Sequence, residues 1–197
     1  NQLSSITTTQ FNALATNQVQ NLRAARIDSL TTAQIVALST QQVAALATAQ
    51  LYRFTTAQVA ALTSTQVQAL TTDQVSSFNF QLIDDIQTAD VAVMSTAQVA
   101  ALTTRLIANL DATQLVALTT DQIANMSTAQ TASLSADALN VLSTAQIVSL
   151  TTDQVQNLTS RQVSGISTAA VAALTTDQLG AMTTAHIASL SGTQLAV

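Results

Sequence analysis

Residues 31–46 read Thr31-Thr32-Ala33-Gln34-Ile35-Val36-Ala37-Leu38-Ser39-Thr40-Gln41-Gln42-Val43-Ala44-Ala45-Leu46. One eight-residue pattern stands there twice, [Ser/Thr]-Thr-x-Gln-[Val/Ile]-x-small-Leu, and it returns at 95–102 and 151–158, with Ala or Asp usual at its third position. Self-similarity at a fixed period decides an architecture before any single element does. The eighth position of this octad, from Ile6 to Leu190, is Leu, Ile, Met or Phe in all 24 occurrences. The fifth, from Leu3 to Leu195, is apolar in 24 of 25, and only Thr131 is polar. No insertion or deletion interrupts the count, so the repeat length answers to a geometric constraint such as stacking, which loops of variable length would not impose.

Apolar residues at spacings of three and five exclude a half-buried strand, which buries every second residue. Residues three apart share a helix face. One continuous helix fails, because eight residues at about 100° each overshoot two full turns by about 80° per octad, and the apolar stripe would wind around the axis. The helix must therefore be interrupted once per repeat. The first position supplies the interruption: it is Ser, Thr, Asp or Asn in 20 of 24 octads, the exceptions being Ala15, Arg23, Ala47 and Gln87. These are N-cap residues, and Gln follows three residues later in 18 of 25 cases, the spacing of a capping box. Thr31 with Gln34, Ser95 with Gln98 and Thr151 with Gln154 are the clearest examples. Asp73, Asp121, Asp137, Asp153 and Asp177 fall in the first turn, where a carboxylate complements the helix dipole.

The expected fold is all-α: a solenoid of about 24 very short helices, one per octad, running through residues 1–197 as a single array. Its core is expected at Ile35, Leu38, Val43, Leu46, Val59, Leu62, Val99, Leu102, Leu118, Ile147 and Leu150. Helices of about six residues fall far below the roughly 12–15 needed for stability alone, so they exist only as a stack in which each unit leans on its neighbours. The mostly small seventh position fits close backbone approach, with Arg53, Asp85, Val93 and Val141 as local accommodations. Residues 78–94 keep the core positions but lose the cap and Gln signature, and are degenerate repeats.

Composition narrows the function classes. Of 197 residues, 48% are hydrophobic but only 8% are charged, all of them Asp or Arg, for a net charge of −5; Cys, Pro, Trp, Lys and Glu are absent. That excludes a basic nucleic-acid binder, a disulfide framework and a thiolate zinc site. No apolar run approaches the ~20 residues of a membrane span.

Few residues invite a chemical reading. Asp84, Asp85 and Asp90 cluster in the degenerate stretch and are the one candidate set for a hard cation, which prefers several carboxylate oxygens, although no EF-hand spacing accompanies them. His186, the only histidine, occupies the Gln position of its octad and reads as a polar capping substitute. Tyr52, Arg53 and Phe54 form the one aromatic-basic spot, with Phe54 at a core position. No Gly-x-Ser-x-Gly elbow and no Gly-rich phosphate loop occurs. The expectation is a non-enzyme with no cofactor.

Strings such as Leu38-Ser39-Thr40-Gln41-Gln42-Val43-Ala44-Ala45-Leu46 and Ala101-Leu102-Thr103-Thr104 resemble the Ala/Thr/Gln-rich repeat arrays of very large bacterial secreted or surface proteins, described as adhesin-like or haem-utilisation-like. The resemblance covers the whole chain and implies an extracellular or cell-surface location, with this region as stalk, spacer or filament body. Asn1 falls at the third octad position and Val197 at the seventh, so the sequence is expected to be a segment of a longer array or to stack on copies of itself. Its expected partners are neighbouring repeats or itself, with no nucleic acid and no membrane span. An alternative reading is ice or crystalline-polysaccharide binding through ladders of hydroxyls, since position two is Thr or Ser in 19 of 24 octads.

Overall fold

The structure, a computed structural model, describes residues 5–196, apart from the side chains of Phe80 and Gln81. Asn1, Leu3 and Val197 lie outside the described residues. Twenty-three α-helices of four to six residues, from α1 (Thr8–Asn12) to α23 (Gly192–Leu195), and one 3₁₀ turn (Ala24–Ser29) succeed one another at one element per octad, and the described residues form no strand. Residues 1–102 and 103–197 make two compact units, and both follow the same rules.

Where a helix runs to position seven, two extended residues redirect the chain. In octad 31–38 the N-cap Thr31 sits at φ −76°, ψ 156°, the helix Thr32–Ala37 follows, and Leu38 leaves it at φ −62°, ψ 132°. The Leu38 N–H still donates to the Ile35 carbonyl at 3.1 Å, so the eighth residue closes one helix while extending toward the next. Every such junction lies in ordinary backbone space: no described residue has positive φ and no described peptide bond is cis. Turns of this kind need neither Gly nor Pro, which explains how so turn-rich a chain contains no proline and only three glycines.

Within each unit, a helix packs against the helix three octads away: α1 on α3 (Thr32–Ala37) in the first unit, and α16 (Ala136–Val141) on α19 (Ser160–Gly165) in the second. Glutamine side chains also reach carbonyls four octads back, as described below. One superhelical turn therefore contains between three and four octads. The interior is filled by positions five and eight. In the first unit Ile35, Leu38, Val43, Leu46, Val59, Leu62, Val99 and Leu102 are buried, and in the second Leu118, Ile147 and Leu150 are buried. Thr131, the polar exception, is fully buried with its hydroxyl donating to the Ser127 carbonyl at 3.2 Å, the i−4 back-bond that lets a threonine enter a core.

The fifth position depends on the following turn for its cover. Leu179, Ile187 and Leu195 have no described residue 24 to 32 positions further on, and they are 42%, 43% and 59% exposed. Position seven governs the approach between turns. A Cβ on Gly165 would lie 2.8 Å from Ala136 Cβ and 3.3 Å from Ala136 Cα, so at this position α19 meets α16 backbone against side chain with no room to spare. Elsewhere polar groups bridge the same gap: Ser133 donates its hydroxyl to the Thr104 carbonyl at 3.0 Å, and Arg53 pairs with Asp28 at 3.2 Å, an exposed bridge of little energetic weight.

Because every inter-turn contact is defined in whole octads, the register tolerates loss of eight residues and not of four. Deleting residues 39–46 should leave a cooperatively folded helical protein by far-UV circular dichroism and urea titration, with stability lowered by one unit and its interfaces. Deleting residues 39–42 shifts polar positions into the core and should unfold the first unit. Equal effects from the two deletions would contradict the register argument.

Candidate functional site

The one side chain repeated throughout with a demanding environment is the glutamine at position four. Its carboxamide has two ends, and the structure uses both. The oxygen accepts the N–H of the N-cap residue: Thr31 N–H donates to Gln34 Oε1 at 2.9 Å, Ser95 N–H to Gln98 Oε1 at 2.8 Å, and Thr151 N–H to Gln154 Oε1 at 2.7 Å. In return the cap hydroxyl accepts the glutamine backbone N–H at 3.2, 3.1 and 3.2 Å respectively. This is the reciprocal capping box. Where Ala15 or Ala47 replaces the cap residue only half survives, since alanine has no acceptor while its N–H still donates to Gln18 or Gln50.

The nitrogen end reaches across the turn. Gln34 Nε2 donates to the Ile6 carbonyl at 2.8 Å. Gln66 Nε2 donates to Ile35 and Leu38 carbonyls, both at 2.8 Å, and Gln98 Nε2 to Val67 and Leu70, again both at 2.8 Å. In the second unit Gln146 reaches Leu115 and Leu118 at 2.9 and 2.8 Å, and Gln154 reaches Ile123 and Met126 at 2.9 and 2.7 Å. The acceptors lie 31 and 28 residues earlier, at positions five and eight of the octad four places back. They are carbonyls at the end of a helix, where the α-helical pattern leaves acceptors over. One carboxamide therefore caps the start of its own helix and the end of another. The glutamines from Gln34 onward that make this latch are at most 5% exposed, whereas Gln10 and Gln18, in the first octads, are exposed. Which carboxamide atom is O and which N follows from this network of donors and acceptors.

His186 performs the same task with a ring. It is 4% exposed. Its Nδ1 accepts the Thr183 N–H at 3.2 Å and its Nε2 stands 2.7 Å from the Leu158 carbonyl, 28 residues earlier. An acceptor at Nδ1 and a carbonyl at Nε2 select the neutral tautomer protonated on Nε2. An imidazole thus mimics a carboxamide, with both ring nitrogens engaged by backbone groups.

Sequence reasoning found the oxygen half of this arrangement and missed the nitrogen half. A signal was present. Capping boxes accept Glu or Gln alike, yet the chain has no glutamate at all. A carboxylate can cap, but it cannot donate to carbonyls across the turn, and buried there it would be an unpaired charge.

The three aspartates of residues 84–90 do not converge. Asp84 is exposed and Asp85 half-buried. Asp90, at a latch position, is buried and accepts the Ser64 hydroxyl at 2.7 Å. Among the described residues no group of three His, Cys, Asp or Glu side chains is placed to hold a metal ion. Phe54 is buried, while Tyr52 is 60% exposed beside an open surface hollow that it shares with Asp28, Arg53 and Asn79. No described helix is long and apolar enough to cross a membrane. Asp111 caps α13 (Ala112–Ala117), and hydrogen bonds from the Thr113 hydroxyl and the Gln114 N–H hold its carboxyl below the ordinary carboxylate range.

The family model described as the ALTTAQ repeat matches residues 43–79, 83–120, 99–128 and 160–192, more than half of the chain. No curated protein matches it. In the octad frame the six letters of that description run from position seven of one repeat to position four of the next: the small contact residue, the core Leu, the cap, the second Thr, the first-turn Ala and the latching Gln.

Two outcomes follow for this site. Gln66→Glu keeps the cap acceptor but loses both donors and buries a charge against two carbonyls. It should lower stability by about 3–5 kcal/mol in urea titration, while Gln18→Glu, exposed and only capping, should stay within about 0.5 kcal/mol. Similar costs at both positions would mean that the latch contributes little. For Asp111 the folded carboxyl is the stronger acid, so its contribution is complete above the ordinary carboxylate value and is lost as pH falls through the lower folded value. The Gln114 amide resonance should titrate in that low window, and Asp111→Asn should flatten the titration. A midpoint at the ordinary value would remove the argument.

Proposed function

The chain belongs to the ALTTAQ repeat family, and from that premise we propose that it is a structural, non-enzymatic element, the stalk, spacer or filament body of a bacterial surface protein of adhesin-like type. The observation that carries this reading is the latch. A buried amide-to-carbonyl connection recurs within each unit, from Gln34 to Gln98 in the first and from Gln146 to Gln194 in the second, and each connection ties a turn to the one before it. A chain built this way gains length by adding octads, and its mechanical connectivity is the same at each latched repeat. The neutral Thr, Ser and Gln surface suits an extracellular setting in which ionic strength varies, because few of its interactions are screened by salt. Self-association or packing on neighbouring repeats of the parent chain belongs to the same proposal.

The hydroxyl-ladder alternative has one supporting observation: Thr32, Thr40, Thr48, Thr56 and Thr72 are all exposed at position two. It is weakened because position one spends its hydroxyls on capping, which leaves one hydroxyl per octad where two were available.

The test uses the protein displayed on its own cells. An antibody against the chain should label intact cells, and excising residues 31–62 or residues 143–174, four octads each, should reduce reach or adhesion by similar, graded amounts. Labelling only after lysis would overturn the surface location. An excision that abolishes function at one place and is silent at the other would point to a discrete site and overturn the spacer reading. Purified protein should give no thermal hysteresis and no retention on crystalline polysaccharide; a positive result in either assay would promote the hydroxyl ladder.

A further inference from the structure

Not every octad carries the latch. Position four is Leu82, Asp90, Leu106, Ala138 or Ala170 in the octads beginning at 79, 87, 103, 135 and 167, and none of these side chains has an N–H to donate. The deficit differs in kind from one to the next. Octad 135–142 keeps its Ser135 cap, whose hydroxyl accepts the Ala138 N–H at 3.0 Å. Octad 87–94 replaces the latch by peripheral bonds: Ser64 to Asp90, Gln87 Nε2 to the Ala60 carbonyl at 2.5 Å, and Gln68 Nε2 to the Val93 carbonyl at 3.2 Å.

Octad 79–86 lacks the latch and carries a further deficit among its described side chains. Leu82 fills the latch position with a buried apolar side chain, so it offers no donor to the Phe54 and Leu51 carbonyls, the positions 28 and 31 residues earlier. The Asn79 cap accepts the Leu82 N–H at 2.8 Å, but Leu82 returns nothing to the Asn79 N–H. Beside it, Asp85 Oδ2 is buried with no hydrogen-bond partner, a group whose desolvation is uncompensated while the octad is closed and relieved when it opens to water.

From these three local deficits we infer that, among the octads from 31–38 to 167–174, inside of the exposed latch positions of the first octads and the uncovered fifth positions of the last, opening starts at octad 79–86, within the first unit, and that the residue at position four sets the order in which these octads open. Local stability in a stack of identical units is a sum of unit and interface contributions, and here the core and the backbone junctions are nearly constant, so the latch is the variable. Opening of α9 (Phe80–Asp85) exposes Leu82, Ile83 and Ile86 and frees the carboxylate of Asp85. This octad is thus a built-in yield point in the first unit, whatever role the array serves.

Hydrogen exchange of the intact chain, resolved by two-dimensional NMR, tests this at one amide per octad. In the α-helical octads the fifth-position N–H donates to the N-cap carbonyl: Ile83 to Asn79 at 3.2 Å, Val43 to Ser39 at 2.9 Å, Val67 to Thr63 at 2.9 Å, Leu139 to Ser135 at 3.0 Å and Ile147 to Ser143 at 3.0 Å. After correction for intrinsic rates, protection at Ile83 should be at least tenfold lower than at Val43 and Val67, and protection at Leu139 should be lower than at Ile147 by a smaller factor. Leu82→Gln, which installs the residue that latches elsewhere, should raise protection at Ile83 at least fivefold. Gln146→Leu, the converse change, should lower protection at Ile147 toward the Ile83 value. Protection at Ile83 within threefold of Val43 overturns the inference. So does a Leu82→Gln variant that keeps the native circular dichroism yet leaves Ile83 unchanged. Should that variant not fold, Gln146→Leu decides: unchanged protection at Ile147 overturns the inference, and a tenfold drop upholds it.

Discussion

A single primary carboxamide, held between an N-cap amide and two helix-end carbonyls, is the constraint from which the rest of the structure follows. Its oxygen fixes where a helix begins, and its nitrogen fixes where a helix four octads earlier lies. The two ends are joined by a rigid planar group, so cap geometry and turn closure cannot be adjusted separately. An inserted residue would move the cap relative to the carbonyls by one residue of arc and break both halves at once. This explains why no repeat is seven or nine residues long, even though the exposed sixth position would tolerate almost any side chain.

The latch also explains how such short helices persist. Five or six residues leave nearly all helical N–H and C=O groups at a terminus, a hopeless balance for a helix alone. Here the termini are where the bonding is concentrated. The cap hydroxyl takes the Gln N–H, the carboxamide takes the cap N–H, the eighth residue bonds back to the fifth, and the carbonyls at positions five and eight receive the amide of a later turn. The polar groups that would make a short helix unstable are what connect one turn to the next, and the Val/Ile and Leu pair supplies the apolar surface they enclose. Charge is rare in this scheme: a carboxylate at position four cannot donate to carbonyls, and Asp90, buried there, accepts the Ser64 hydroxyl instead, while neutral Thr, Ser and Gln satisfy the common geometry without desolvating an ion.

The fold class was legible because two periodicities agreed. Apolar residues at positions five and eight gave the helix face, and Ser or Thr at position one gave its interruption. What could not be read was the link between turns. Three-residue spacing from Thr31 to Gln34 is visible in the sequence, whereas the distance from Gln34 to the Ile6 carbonyl depends on the angle between successive helices, and no local propensity encodes that angle. For the same reason the number of octads per turn was inaccessible. Asp84, Asp85 and Asp90 looked like a group because they are near in sequence. In a solenoid, neighbours in space are 24 to 31 residues apart, so Asp90 finds Ser64 and not Asp84. His186 shows the reverse case: a residue type rich in possible chemistry is reduced, by sitting at a fixed register position, to the geometry of the glutamine it replaces.

The six residues that describe the family span a junction and stop before the body of the helix. Read in register they are a backbone contact to one turn, a core side chain that extends the chain, a cap, and a latch to another turn. The parts of the octad they omit are the fifth residue, which needs only to be apolar, and the sixth, which is mostly exposed and varied. The information in the repeat is therefore invested in how units connect and hardly at all in what they display. A binding protein built on a solenoid scaffold uses the opposite allocation, with the junctions held fixed so that exposed positions can be diversified toward a ligand. In this chain most exposed positions are small or polar, with Val36, Tyr52 and Val116 as large exceptions at position six, and the departures that matter for how turns are held fall at position four, inside the stack. Variation there changes how firmly one turn holds another and leaves the surface as it was. Such variation adjusts how the repeats hold together, and it is the physical reason for reading the proposed function in the connection between turns.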